Sequence, residues 1–378
     1  MIDNRINIKH SMIRWAIERS GKEQGFFTKS FPKLSLWGKN VKPTLKQLQD
    51  FSKKATIPFG YLFLEEPLVE TLPVPDYRTV DDKYIMSSPS PELIETICLM
   101  QRRQDWLRSY RIENGSQSLD FAASFSKSND VEIAKNIRKT LGLDCSWSEN
   151  CRNWSVALDE LNRKIEDVGI MLIFDGIVKN NTKRKLLVEE FRGFVLYDEY
   201  APLIFVNNSD AKSAQMFTIA HELAHLWLNA GGIFNLDRMQ PGKGEIEIRC
   251  SNIAAEFLAP ESEFHKLWKE KRYKFDSIAQ SFKVSTIVCA RRALDLGLIS
   301  KEKFFSYYEN STKRLKDIKK SDKKVDFYKM QRYRIGRNLS VAIKNALADG
   351  SLLYRDAYNL TGLRGKTFDK YVKEFEPL

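Results

Sequence analysis

The sequence predicts an α+β fold, mostly helical, with one small sheet. One stretch, Phe217-Thr218-Ile219-Ala220-His221-Glu222-Leu223-Ala224-His225-Leu226-Trp227-Leu228, is apolar around most of a helical circumference and so belongs inside a core. Three short apolar runs precede it, at residues 170–174, 191–197 and 203–206, and read as strands. Apolar residues at helical spacing occupy both ends of the chain, which adds a helical bundle before this core and a helical region after it. The boundaries follow from these patterns. Residues 1–66 form a compact helical domain, 67–130 a linker and spacer helix, 131–300 the domain holding the sheet and the buried helix, and 301–378 a basic linker with a small helical region.

The buried helix carries His-Glu-x-x-His. His221 and His225 are four residues apart, so both imidazoles leave one face, one turn apart. That spacing lets two neutral nitrogens reach one Zn²⁺ at about 2.0–2.1 Å. Glu222 lies beside the first ligand and is placed to take a proton from water rather than to bind the ion. Polar side chains on such a helix are costly without a partner, and a metal supplies the reason for them. Chance occurrence of so short a pattern is the competing explanation.

A catalytic zinc needs a third protein ligand and an open fourth position. The arrangement HExxHxxGxxH is absent, because Leu228 and Gly231 stand where its Gly and His would be. The other histidines, His10 and His265, are far away in sequence. The next helical stretch, residues 245–258, has an apolar stripe of Ile246, Cys250, Ile253, Ala254, Phe257 and Leu258. Glu247 lies at its margin, whereas Glu245 and Glu256 point away. Helical phase therefore selects Glu247 as the third ligand; the alternative is that all three carboxylates are solvated.

HELAHLWL, followed by Glu247-x-x-Cys250-Ser251-x-x-Ala254-Ala255-x-x-Leu258-x-Pro260, resembles the ImmA/IrrE family of bacterial metallopeptidases. Ser251 departs from the usual Asn of that pattern. The resemblance extends to Phe191-Arg192-Gly193-Phe194 and to residues 201–208. It implies zinc held by His221, His225 and Glu247 with Glu222 as general base, in agreement with the phase argument. Within residues 1–66, Trp37-Gly38, then Pro43-Thr44-Leu45, then a final Pro58-x-x-x-Leu62 segment resemble the XRE-type helix-turn-helix of longer family members. Asp76-Tyr77-Arg78-Thr79 resembles their interdomain joint. A small sheet before an HExxH helix is the zincin-like pattern. The resemblance implies a zinc-dependent endopeptidase whose protein substrate is a repressor-type regulator of a mobile element or of stress genes. The alternatives are a DNA-binding transcription regulator whose zinc fold no longer cleaves, and a toxin–antitoxin partner. Tyr197 and Tyr200 are candidate oxyanion donors.

The net charge is +12, and residues 1–56 contribute +8 of it, from twelve Lys/Arg against four Asp/Glu. A surface of that sign neutralises phosphates, so DNA is an expected partner of residues 1–66. The third helix of that domain is expected from about Lys33, with Lys33, Ser35 and Lys39 as candidate DNA contacts; a degenerate domain used for protein contacts is the competing reading. Five scattered cysteines make no disulfide framework, which fits a reducing cytoplasm. The first residues carry no signal-peptide pattern and no apolar run is long enough for a membrane span.

Several further expectations concern single elements. Pro43 marks a helix start, and prolines 67, 73 and 75 favour an extended linker. A long helix starts at Pro91 with Arg102, Arg103 and Arg108 exposed. Residues 130–142 and 147–167 read as helices, residues 180–185 as a basic loop and 229–244 as a glycine-containing loop. Residues 275–297 are a helix-turn-helix-like pair with a structural role, Arg291 and Arg292 being on its second helix. Residues 309–337, with Lys319, Lys320, Lys323 and Lys324, read as a linker.

Overall fold

The computed structural model describes residues 5–68, 89–119, 121, 128–229, 232–234, 244–316 and 326–375. The Asp76–Thr79 joint, the lysines at 319, 320, 323 and 324, and Gly231 and Gly242 lie outside them. Two compact units emerge from the contacts, one of residues 1–73 and 83–97, the other of 74–82 and 98–378.

The first unit contains α1 (His10–Arg19), α2 (Gln24–Thr28) and α3 (Leu45–Ala55). Their apolar faces meet over Phe27, Leu34, Trp37, Leu48 and Phe51. Thr44 starts α3 with a capping box, its side chain accepting from the Gln47 N–H while the Gln47 side chain accepts from the Thr44 N–H. The helix expected from about Lys33 is instead a three-residue 3-10 turn, Leu34–Leu36. Trp37 turns inward onto Phe31 and Phe51. Gly38 then adopts φ 73°, and a Cβ there would lie 2.5 Å from the Ile8 carbonyl and the His10 nitrogen. A helix cannot propagate through a left-handed residue pressed against backbone.

α4 (Pro91–Glu113) follows. Arg103 corrects the expectation for this helix. It is buried, and its guanidinium donates to the Leu360 carbonyl at 2.8 Å and the Arg334 carbonyl at 2.7 Å. Those two oxygens replace water, which helical periodicity on α4 alone could not foresee.

α5 (Asp130–Thr140) and α6 (Trp154–Asp167) are capped by Asn129 and Asn153. The strands are β1 (Met171–Asp175), β2 (Ile177–Val178), β3 (Asn181–Lys185), β4 (Gly193–Leu196) and β5 (Leu203–Asn207). Next come α7 (Lys212–Trp227), β6 (Gly232–Phe234), α8 (Glu245–Leu258), α9 (Glu261–Glu270), α10 (Phe275–Phe282), α11 (Thr286–Asp295) and α12 (Lys301–Lys316). The described chain ends with α13 (Phe327–Ile335), α14 (Arg337–Ala348), α15 (Tyr354–Thr361) and α16 (Gly365–Glu374).

The main sheet has the order β1-β5-β4-β6, with β5 parallel to β1 and antiparallel to β4, and β6 antiparallel to β4. β4 and β5 are buried at every position, as strands covered on both faces must be. Residues 181–185, expected as a loop, are β3, paired antiparallel with β2 through a turn in which Lys179 and Asn180 have positive φ. The expected loop 229–244 contains β6, and of residues 309–337, expected as a linker, 309–316 belong to α12 and 327–335 to α13.

α13 and α14 pack on β1. The buried Glu166 receives the Arg337 N–H at 2.7 Å and the Asn338 N–H at 3.3 Å, at the start of α14. Burial pushes its carboxyl up to about 7, against those hydrogen bonds. A carboxyl raised in the folded state contributes stability that is full below its unfolded value of 4.5 and lost as pH rises through about 7. Glu166→Gln, which cannot ionise, is therefore expected to gain on the wild type in thermal melting across that window. A wild-type-minus-variant difference that stays flat would contradict this.

Candidate active site

α7 is buried continuously from Gln215 to Trp227 and packs against α8, β4 and β5. That surrounding apolar mass explains why its sequence is apolar on all sides. His221 and Glu222 have no exposed surface, His225 is 1% exposed and Glu247 2%. The His221 Nε2 lies 3.1 Å from a Glu247 carboxylate oxygen, and the His225 Nε2 lies 3.1 Å from the other. The two Nε2 atoms are themselves 3.1 Å apart. Three donors in a triangle of that size can share one small cation, because tetrahedral ligands at about 2.0–2.1 Å from an ion stand a little over 3 Å apart.

The ionisation states suit a cation as well. Burial lowers the His221 imidazole to about 4, which leaves it neutral near pH 7. Burial also works against the Glu247 carboxylate, but the hydrogen bonds and charges of His221 and His225 outweigh it and hold Glu247 at about 2. Neutral imidazole and ionised carboxylate are the forms that bind metal.

Glu222 is in a different condition. Neither of its carboxylate oxygens has a hydrogen-bond partner among the described residues. Burial first, and the Glu247 charge second, raise its pKa well above the usual carboxylate range. A fully buried, unpartnered carboxyl is expensive, and such groups cluster where chemistry needs them.

Gly193 on β4 gives Glu222 its room; in the sequence it stood only as part of the Phe191–Phe194 resemblance, with no role assigned. A Cβ there would meet the Thr218 methyl at 2.7 Å, the Phe205 carbonyl at 2.8 Å and the Glu222 Oε1 at 3.0 Å. A glycine inside an otherwise apolar strand is the sequence signal of such a close approach. Gly193→Ala is expected to displace the Glu222 carboxylate and to cost about 100-fold in turnover. The added methyl also overpacks the site, at about 1–3 kcal/mol. Turnover that equals the wild type in a folded variant would contradict the assignment.

Two expectations for α8 need correction. Ile246, placed in the buried stripe, is 39% exposed. Glu256, expected to point to solvent, is buried and ion-paired with Arg292, while Arg138 donates to the Glu256 carbonyl at 2.7 Å. The apolar stripe treated only one neighbour, whereas α8 is flanked by both α5 and α7. Arg292, noted as a cation of a helix-turn-helix-like pair, is thus committed to the core, and Arg291 pairs with Asp295 at 2.9 Å.

Tyr197 follows β4 at the end opposite Gly193, roughly 13 Å along the strand. The Tyr200 ring lies under the Arg108 guanidinium. The His10 Nδ1 is 2.9 Å from the Trp37 carbonyl, and His265 is near Glu261 at 3.7 Å. Lys33, Ser35 and Lys39 are exposed on the first unit.

A buried His-Glu-x-x-His helix beside a small mixed sheet, joined by a carboxylate from the following helix, has the character of a metallopeptidase-like domain. Residues 165–294, about a third of the chain, match the peptidase M78 family model, described as an IrrE N-terminal-like domain. That match supports the ImmA/IrrE resemblance for this domain, and with it a protein substrate. Residues 335–374 match a domain of unknown function, DUF8813. No curated protein matches the chain. No helix among the described residues is long and apolar enough to cross a membrane.

Proposed function

We propose that the chain is a zinc-dependent endopeptidase that cleaves a repressor-type regulatory protein, and so controls transcription of a mobile element or of stress genes. The observation that carries this reading is the buried triangle of His221, His225 and Glu247 with the unpartnered Glu222 beside it. His221, His225 and Glu247 hold the metal. Bound there, zinc supplies the positive charge that acidifies water, polarises a carbonyl and favours the ionised form of Glu222.

The rest of the chemistry belongs to the protein. Glu222 accepts the proton of the attacking water and delivers it to the leaving amine when the C–N bond breaks. Its apolar enclosure excludes other hydrogen-bond partners, so the carboxylate is free for that transfer. An extended substrate pairs with a strand edge of the main sheet, where backbone hydrogen bonds orient the scissile amide. A scaffold that only bound metal would need the ligands and no base, and Glu222 favours cleavage over that alternative.

The basic first unit brings the enzyme to the DNA on which the repressor sits, with Lys33, Ser35 and Lys39 as phosphate and base contacts. Because Leu34–Leu36 is a short turn, these contacts come from a loop surface rather than from an inserted helix.

Zinc content of the purified protein tests the reading. About one zinc per chain is expected, with loss in both His225→Ala and Glu247→Ala. A wild type that holds no zinc after reconstitution would sink the peptidase assignment.

A further inference from the structure

Glu247 is not the only donor that α8 turns toward the two histidines. Cys250 lies three residues further on, so the two side chains leave the same face of the helix. It is fully buried. Its sulfur and one ring nitrogen each of His221 and His225 all lie within 4.8 Å of one another. Beside this cluster the Glu222 carboxylate, fully buried one residue from His221, has no hydrogen-bond partner among the described residues. Sequence reasoning had counted Cys250 as one more apolar residue of the stripe, since free cysteine behaves as a small hydrophobe.

Resting on the metal site assigned above, we propose that Cys250 is a fourth protein donor of that centre, so that it alternates between an open state and a closed one. In the open state His221, His225 and Glu247 hold the metal and the fourth position takes water. In the closed state the Cys250 sulfur fills the fourth position. Closing breaks the S–H bond and forms a sulfur–metal bond, while the displaced water leaves with the proton as hydronium. No oxidant or reductant takes part. Four protein ligands make a closed site of the structural kind, and three with an open position make a catalytic one. The cysteine thus sets the fraction of molecules able to activate water. A sulfur donor also shifts the preference of the site toward soft cations such as Cd²⁺ and away from Mn²⁺ or Mg²⁺.

Cobalt substitution of the full chain reads the sulfur directly. Wild-type protein loaded with Co²⁺ is expected to show the visible bands of a four-coordinate ion together with a near-ultraviolet thiolate-to-cobalt charge-transfer band. In Cys250→Ala the charge-transfer band is lost and the visible bands remain. The Cd²⁺ affinity of that variant falls by about 10–100-fold, the size of a lost interaction at a metal site. Visible bands without charge-transfer intensity in the wild type would overturn the role of Cys250 and leave the peptidase reading standing. Failure of wild-type protein to bind either Co²⁺ or Zn²⁺ would overturn both. Because the decisive spectrum is taken on the wild type, a poorly folded variant does not remove the test.

Discussion

Replacing Glu222 with glutamine is expected to lower peptide-bond hydrolysis by about 10²–10⁴-fold with zinc content unchanged. The two side chains have nearly the same shape, so the replacement fits the space between α7 and Gly193 without new contacts. It removes the proton acceptor and touches no ligand. The same change should leave the metal-free protein at least as stable as the wild type. Glu222 is fully buried with no partner among the described residues, and its ionised form is opposed both by burial and by the Glu247 charge. An amide escapes that penalty, which is how a group kept for chemistry differs from one kept for packing. Turnover, elemental zinc and thermal melting measured on one preparation separate the possibilities. Full activity in Glu222→Gln would end the general-base assignment. Loss of activity together with loss of zinc would make Glu222 a part of the metal site instead.

The second large effect is on stability. Arg292→Met is expected to destabilise the fold by about 3–5 kcal/mol, the cost of leaving one member of a buried ion pair alone. Arg292 pairs with Glu256 and donates to the Ala259 carbonyl at 3.0 Å. With Arg138, which donates to the Glu256 and Phe257 carbonyls, it satisfies the C-terminal end of α8. α8 carries Glu247 at its other end. Removing Arg292 leaves the buried Glu256 carboxylate with the Glu261 N–H at 3.2 Å but no counter-charge, and takes the guanidinium from the Ala259 carbonyl. Arg292→Met combined with Glu256→Met removes both charges, and most of the lost stability should return. Denaturant unfolding of the single and double variants measures this. Equal losses in both would show that the carbonyl contacts, and not the ion pair, hold this corner.

The part of the site that was legible in sequence depended on local geometry. His221, Glu222 and His225 lie within five residues of one helix, so their relative placement follows from 3.6 residues per turn alone. Glu247 was selected by phase because its helix has an inner side that apolar spacing reveals. The same phase argument failed for Glu256 and Arg103. Both are buried through partners distant in sequence, Arg292 in one case and the Leu360 and Arg334 carbonyls in the other. Charge was read as exposure, which holds until a specific counter-group removes the need for water. The first unit failed for a related reason. Residues 31–38 have apolar spacing compatible with a helix, but the packing of Trp37 and the left-handed Gly38 stop it after one turn.

By itself, the sequence determined the buried helix with its His-Glu-x-x-His pattern, the strands that precede it and the placement of Glu247 on the inner side of the helix that follows. Each of these depends on residues close together in the chain, where backbone geometry places the side chains. Only the tertiary structure decided that Gly193 makes room for Glu222, that the Cys250 sulfur lies close to the imidazoles of His221 and His225, and that buried arginines tie down the end of α8. Those facts depend on which elements pack together. Packing brings together groups tens to hundreds of residues apart, and no local periodicity encodes their distances.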